Sequence, residues 1–296
     1  IYRRKKYYGD VIMSKFRKQH MTTDWHNIVD GESSTPAIDA PLKEKATLVG
    51  RIGFMMLSVG TGAWRVRASM NKIARGLNIT CNADIGLLSI EYTCVDGSET
   101  FTNAISLSNT GINTHRLSEI EDFADNFADT AKKYSTEQIH MILDKFQSMP
   151  GNYNAWKLGL ASGAACYAFT FLLGGGIIEM IGALFGAGVG NFVRKKLLER
   201  HITLLANVAV GVAAACTVYV TFIKLAELLF GVPAFHQAGY ICSMLFIIPG
   251  FPLITGGIDL AKLDLRSGLE RTTYALLIIL TATATGWATA MIYRFS

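Results

Sequence analysis

The second half of the chain is dominated by long apolar stretches that alternate with short polar connections. We predict five membrane spans there, each with roughly the 17–25 residues that a helix needs to cross a hydrocarbon core of about 30 Å. A single stretch of this kind also occurs in soluble cores, but five in succession favour a membrane domain. The predicted spans are residues 156–173, 177–193, 202–223, 238–254 and 272–293.

The fourth predicted span ends in the run PGFPLITGGID at 249–259. Pro249 and Pro252 each remove a backbone N–H and clash with the preceding turn, so a helix must kink or open there. At membrane depth, such backbone occurs only where it is buried in protein or lines a wet cavity. We interpret Pro249, Gly250 and Pro252 as part of an unwound half-helix that leads towards Asp259. A re-entrant loop or a helix end at the interface is the alternative.

The first half of the chain reads as a small mixed domain. Apolar spacing predicts helices and alternation predicts strands, and Asp96-Gly97 is a tight-turn dipeptide. Ser135 followed by Gln138 has the pattern of a capping box. The predicted helices are 42–57, 62–78, 116–133 and 136–147, and the predicted strands are 79–96 and 98–107.

These patterns predict an α-helical membrane protein with five transmembrane helices and an N-terminal cytosolic α+β domain. Residues 45–150 form the cytosolic domain and residues 151–296 form the transmembrane domain. The basic and polar arm at 1–44 is expected to be disordered.

Charge fixes the expected orientation. Residues 1–150 hold 18 Lys/Arg and 17 Asp/Glu, whereas residues 151–296 hold 10 and 6. The connections after the second and fourth spans carry seven basic residues, and the opposite side carries two. The N-terminal domain is therefore expected in the cytoplasm, and the C-terminus is expected on the outer side of the inner membrane. The formal net charge of +5 then reflects topology in a lipid bilayer, and no nucleic-acid partner is expected.

Motifs of cofactor or enzyme chemistry do not stand out in the sequence. A nucleophile elbow and a phosphate loop are missing, and neither a Cys-x-x-Cys pair nor a metal-spaced histidine occurs. We therefore expect a transporter without a metal or cofactor, and not an enzyme. The five cysteines are Cys81, Cys94, Cys166, Cys216 and Cys242, and no disulfide is expected among them.

Several motifs resemble the threonine/serine exporter family, in the same order. They are GAWRVR at 62–67, GIN with His115 at 111–115, the basic stretch 194–201, PGFPLI with Asp259 at 249–259, and Gly268 with Arg271. The resemblance covers residues from about 45 to 296. Its residues in the cytosolic domain are Arg65, Arg67, Asn113 and His115.

The resemblance implies secondary export of small polar metabolites across the cytoplasmic membrane, either threonine and serine or dicarboxylates such as succinate. Long family members carry two sets of five spans, so this chain is similar to the large subunit of a split form. That implies a second five-span membrane subunit as partner and is compatible with a higher oligomer. The alternative is a membrane-anchored regulatory or enzymatic domain without transport activity.

Polar residues inside the predicted spans are candidates for the transport path. Glu179 lies near the start of the second span, and an interfacial position is an equal alternative. Arg194 could face an anion or serve only as a topogenic charge in a loop. Asn191 and Asn207 could bind substrate or join neighbouring helices. The candidates for the path are Pro249, Gly250, Pro252, Asp259, Glu179, Asn191, Arg194 and Asn207.

Overall fold

The computed structural model describes residues 25–26, 35–149, 153–200, 202–231 and 237–293. These residues fall into two compact units. The helical unit contains the described residues between 153 and 250 together with 274–293, and the mixed unit contains those up to 149 together with 251–273. A boundary at 150 was predicted, but residues 251–273 group with the N-terminal part of the chain. Most of the predicted arm, residues 1–24 and 27–34, lies outside the described residues.

The mixed unit combines helices with a small sheet. The antiparallel sheet has the strand order β1-β2-β3, and Ile90 of β2 lies opposite Ile85 of β1 and Ile105 of β3. Its elements are α1 (Leu42–Ser58), α2 (Ala63–Gly76), β1 (Thr80–Ile85), β2 (Ser89–Asp96), β3 (Glu99–Ser106), α3 (Thr114–Asp125), α4 (Phe127–Lys133) and α5 (Thr136–Ser148).

The predicted elements of this unit are present, with two subdivisions. The predicted strand 79–96 is two strands, because the chain turns between β1 and β2. The predicted helix 116–133 is interrupted at Asn126, which divides α3 from α4. Gly97 has a φ of +59° in the turn between β2 and β3, and the capping box of Ser135 and Gln138 is present.

The core of the mixed unit forms around α1, most of whose residues are buried. This helix packs on α2, α5 and strands β2 and β3. Gly50 lies against the ring of Tyr92, so a β-carbon at this position would clash with the phenol. Trp25 is 5% exposed and packs edge-on against Phe54, so the expected disorder of the arm does not extend to this residue.

The helical unit is built from long apolar helices. They are α6 (Ala155–Leu172), α7 (Ile177–Glu199), α8 (Leu204–Phe230) and α9 (Gln237–Ser243), followed by a 3₁₀ turn (Leu245–Ile247), α10 (Gly250–Ala261) and α11 (Leu265–Ile292). Both α10 and α11 contain residues of each unit.

The prediction of five spans is not confirmed. Among the described residues, α7, α8 and α11 are long and apolar enough to cross a membrane. The bent pair formed by 237–247 and α10 would make a fourth span if it is counted as one. Helix α6 is absent from this set: it has 18 residues, carries Lys157 in its first turn, and contains Gly159, Ser162 and Gly163. A charged residue and small polar residues lower the mean hydropathy of a helix.

Small residues bring the helices of this unit close together. A β-carbon on Gly163 of α6 would lie 2.6 Å from the carbonyl oxygen of Leu184 in α7. One on Gly190 of α7 would lie 2.6 Å from Cβ of Ala215 in α8. The glycine repeats of α6 and α7 therefore act in packing within the chain, as small-xxx-small motifs do in membranes.

Two helices extend beyond their predicted spans. Three arginines that had been predicted to lie in loops are therefore helical. Helix α7 continues to Glu199, beyond the predicted end at 193, so Arg194 is helical. Helix α11 begins at Leu265, before the predicted start at 272, so Arg266 and Arg271 are helical as well. None of these arginines lies in a loop, as had been predicted for all three.

Candidate functional site

The break in the fourth predicted span includes Pro249 but not Pro252. Helix α10 begins at Gly250, directly after Pro249, and Pro252 stands in its first turn. The non-helical residues are Ile248 and Pro249. The predicted break at Pro249 is present, but Gly250 and Pro252 are helical, and the prediction that they are unwound is wrong. Proline is tolerated in a first turn because its missing N–H would have no partner inside the helix.

Asp259 is a fully buried carboxylate near the end of α10. Both of its oxygens lie 3.1 Å from the backbone nitrogen of Ala63, so the carboxylate accepts from the first N–H of α2. Ser267 donates its hydroxyl to Oδ2 at 2.8 Å. A carboxylate at a helix N-terminus also interacts favourably with the helix dipole.

Arg271 is the charge partner of Asp259 and is 2% exposed. Its Nε lies 3.2 Å from Oδ2 of Asp259 and donates to the hydroxyl of Ser267 at 3.0 Å. Its two terminal nitrogens donate to the carbonyls of Gly60 and Thr61, at 3.2 and 2.8 Å. We call Asp259, Ser267 and Arg271 the Asp259 cluster. All its charges are paired, so it joins α10 and α11 to the turn between α1 and α2.

Further polar contacts join Asp264, Arg266 and Glu270 to the rest of the mixed unit. Arg67 of α2 forms a 2.8 Å ion pair with Asp264 and donates to the carbonyl of Ala83. Arg266 pairs with Asp84 and with Glu91 on the sheet. The carboxylate of Glu270 accepts from the backbone N–H of Leu87 at 2.6 Å.

The other predicted residues of the cytosolic motif have separate surroundings. Arg65 lies 3.4 Å from Glu121 and stacks over the ring of Trp64. Asn113 is the N-cap of α3, where its side chain accepts from the backbone N–H of Arg116 at 3.0 Å. His115 is exposed in the first turn of the same helix.

Glu179 and Asn191 both join elements of the helical unit. Glu179, in the first turn of α7, accepts from the backbone N–H of Gly239 in α9 at 2.9 Å. Asn191 donates from Nδ2 to the hydroxyl of Ser162 in α6 at 3.2 Å. These contacts are those of helix-joining residues.

Arg194 and Asn207 differ from these residues because their polar atoms are poorly satisfied. Among the described residues, the side chain of Arg194 makes one hydrogen bond, a 3.5 Å contact from Nη1 to Oδ1 of Asn191. Its Nε is buried without a partner, and so is Oδ1 of Asn207. Asn207 is 2% exposed.

The sequence of this chain matches one family along both units. The family described as "Putative threonine/serine exporter" matches residues 47–293. The chain belongs to the threonine/serine exporter family. With its apolar helices, this membership makes it a membrane protein of a transporter family.

Two relatives of this exporter-family chain are similar over most of their length. The "Probable succinate transporter subunit YjjP" of Klebsiella aerogenes is 26% identical over 247 residues, which cover 80% of this chain and 88% of that protein. The protein of the same name from Escherichia coli K12 is 25% identical over 243 residues, which cover 81% and 90%. No solved structure matches the chain.

Sequence reasoning did not identify all the polar residues that this exporter-family chain buries. Ser267 was not singled out, and Arg271 was considered only as a topogenic charge and as a landmark of the family resemblance. The buried Arg51, which contacts His140 and Asp144, was not noticed at all. The one signal for it is an arginine inside the apolar pattern of α1. Within the described ranges, no group of three or more His, Cys, Asp or Glu side chains could hold a metal ion.

Proposed function

We propose that this chain is a subunit of a secondary transporter that exports small polar metabolites across the cytoplasmic membrane. The family match carries the proposal, because it extends over both units rather than over the apolar helices alone. Threonine and serine are the substrates in the family description, and succinate is the substrate in the names of the two relatives. Each of these metabolites carries a carboxylate, which we take as the shared feature of the substrates.

A second membrane subunit is part of the proposal. Both relatives are named as subunits, which supports a partner. The helical unit also exposes many large apolar side chains that suit a lipid or protein neighbour, including Phe171, Leu228 and Leu280. We propose a separate five-span protein as the partner, with a higher oligomer of such pairs as a further option.

We propose that the mixed unit lies in the cytoplasm. Lys195 and Lys196 follow Arg194 near the end of α7, and Lys262 lies between α10 and α11. Basic residues at these two helix ends support a cytoplasmic location for them. A C-terminal reporter that works only in the cytoplasm should then stay silent, and reporter activity would contradict the orientation.

The start of α10 is the proposed moving part of the transport path. Pro249 prevents the 3₁₀ turn at Leu245–Ile247 from continuing into α10 as one helix. The double variant Pro249→Ala with Pro252→Ala allows a continuous helix from the 3₁₀ turn through α10. We expect normal insertion and at least about tenfold slower efflux, because the break is the proposed point of movement. Pro41→Ala, at the start of α1, is a matched control that should leave efflux unchanged.

The test of the proposed function is efflux from preloaded cells. Threonine, serine and succinate are loaded separately, and the chain is expressed with and without a candidate five-span partner protein. We expect efflux of at least one of them only when both proteins are present. If none leaves the cells while both proteins are in the membrane, the exporter proposal is wrong and an anchored regulatory or enzymatic domain becomes the better interpretation.

A further inference from the structure

Arg194 is half-buried, and it differs from the buried arginines of this chain because no carboxylate among the described residues pairs with it. Arg51 is paired with Asp144, and Arg271 is paired with Asp259. In the described part of the chain, Arg194 has one long contact to a neutral amide and no ion pair. Its Nε has no partner although it is buried. A guanidinium taken out of water is destabilising unless a counter-charge is supplied.

Among its described residues, the helical unit has no carboxylate that supplies this charge. Its described acidic residues are Glu179, Glu199 and Glu227. Glu179 lies about 22 Å from Arg194 along the same helix, because each residue adds about 1.5 Å. Glu199 pairs with Lys196 at 3.1 Å. Glu227 lies about 30 Å beyond Asn207 along α8 by the same spacing.

Asn207 is placed beside Arg194 by the packing of α7 against α8. A β-carbon on Gly186 would meet the carbonyl of Ala215, and one on Gly211 would meet Cβ of Arg194 at 3.2 Å. The two helices therefore run antiparallel with these residues facing each other. Asn207 precedes Gly211 by one turn on the same face, which brings it to the level of Arg194.

The pair offers complementary groups for a small metabolite. Arg194 presents unused N–H donors and a positive charge, which bind a carboxylate in a two-pronged geometry. Asn207 presents an unused buried acceptor, which suits an ammonium, a hydroxyl or a protonated carboxyl group. Tyr274 of α11 is close enough to interact electrostatically with Arg194. Both residues lie near the connection from α7 to α8.

We propose that Arg194 and Asn207 form the carboxylate-binding site for a small metabolite, with Arg194 binding the carboxylate and Asn207 a second polar group. The proposal rests on the proposed transport of carboxylate-bearing metabolites. It goes further by assigning residues to a binding site. A lipid phosphate is less suitable as the ligand, since Asn207 is almost fully enclosed by protein.

Binding to the purified full chain tests the site independently of efflux. The probes are radiolabelled succinate, L-threonine and L-serine, used separately on protein in nanodiscs of zwitterionic lipid. We expect the wild type to bind at least one probe, and Arg194→Gln to weaken that binding by at least about tenfold. Lys196→Gln is the matched control, because it removes an exposed charge from the same helix and should change binding by less than about twofold.

Asn207→Asp tests the same site while keeping Arg194. The new carboxylate would neutralise Arg194 from within the protein, so binding of an anionic probe should be lost while the thermal midpoint is kept or raised. Retained binding in Arg194→Gln or in Asn207→Asp would overturn the site, and so would a wild type that binds none of the probes.

The outcomes separate this site from the proposed function. Binding that depends on Arg194 in a chain that shows no efflux with its partner supports the site and contradicts the exporter proposal. Efflux that is unaffected by Arg194→Gln supports the exporter proposal and contradicts the site. The identity of the probe that binds distinguishes an amino-acid carboxylate from a dicarboxylate.

Discussion

Arg271 in the mixed unit and Arg194 in the helical unit are the same side chain in two contrasting environments. Arg271 has a buried carboxylate, a hydroxyl and two carbonyls as partners. Arg194 has a single contact at 3.5 Å. A paired buried charge holds a structure together, whereas an unpaired one remains available to a ligand.

The difference has a simple origin in the composition of the two units. The mixed unit is rich in carboxylates, so an arginine that becomes buried can find one close by. Among its described residues, the helical unit has three, and each is accounted for by distance or by another contact. An arginine near the end of α7 therefore stays without a counter-ion unless one arrives from solution.

The largest effect is expected when the Asp259 cluster is broken. Asp259→Ala leaves the guanidinium of Arg271 buried without its anion and removes the acceptor of the Ala63 N–H. The free energy of unfolding of the mixed unit should fall by about 3–5 kcal/mol. Urea titration can measure this in a full chain that keeps Trp25 and Trp64 but carries phenylalanine at its other tryptophans.

Asp264→Ala is the matched control for this prediction. Asp264 also pairs with an arginine, Arg67, but both side chains are partly exposed. Its removal should lower the free energy of unfolding by less than about 1 kcal/mol. The double change of Asp259→Leu and Arg271→Met should be less destabilising than Asp259→Ala, because it leaves no unpaired charge. If Asp259→Ala and Asp264→Ala lower the free energy of unfolding equally, the burial of the Asp259 ion pair does not determine its contribution to stability.

The second prediction concerns Arg51, which is paired but contacts groups that titrate. Nη1 of Arg51 lies 2.9 Å from Nδ1 of His140, and burial followed by the charge of Arg51 lowers the pKa of His140 to about 3. In the unfolded chain, the same imidazole takes up its proton near pH 6.5. Stability should therefore fall as the pH falls below 6.5, by about 1.4 kcal/mol per pH unit. The loss is about 2 kcal/mol between pH 6.5 and about pH 5.

Two neighbouring groups titrate outside this window. Hydrogen bonds to Glu137 and Asp144 raise the pKa of His26, so its contribution is complete below pH 6.5 and is lost as the pH rises through the raised pKa. Hydrogen bonds from Arg51 and His26 outweigh desolvation and lower the pKa of Asp144, whose contribution is lost only below its ordinary value of 3.8. Urea midpoints can be measured at several pH values. Their dependence on pH should be weaker in His140→Gln than in the wild type, and an unchanged dependence would contradict the assignment of this stability loss to His140.

Much of the mixed unit could be predicted because its signals are local. The alternation around Ile90 and Tyr92, the turn at Gly97 and the cap at Ser135 each involve neighbours in sequence. The break near Pro249 was only half predictable. A proline ends the helix before it and is equally suited to start the next, so the sequence alone does not tell on which side the non-helical residues lie.

The candidate sites were harder to predict because their partners are distant in sequence. Asp259 was recognised as polar in an apolar run, but Ala63 lies almost 200 residues before it, and no local pattern links them. Arg194 was recognised too, yet it was assigned to a loop because hydropathy ends a span where charge begins. Helix α7 continues past that point, and only its packing against α8 places Asn207, which was also a candidate, at the level of Arg194.

The smallest effect is expected at Arg194, and it tests the contrast between the two arginines most directly. Arg194→Met removes a charge that has no counter-ion among the described residues, so the thermal midpoint should stay the same or rise. The free energy of unfolding should change by less than about 1 kcal/mol. Arg271→Met should instead lose about 3–5 kcal/mol, because it leaves Asp259 buried and unpaired. Thermal unfolding of full chains that keep either Trp156 and Trp287 or Trp25 and Trp64 reports each unit separately. A loss at Arg194 as large as that at Arg271 would mean that protein groups already neutralise it, and the site would then have no unpaired charge to offer a ligand.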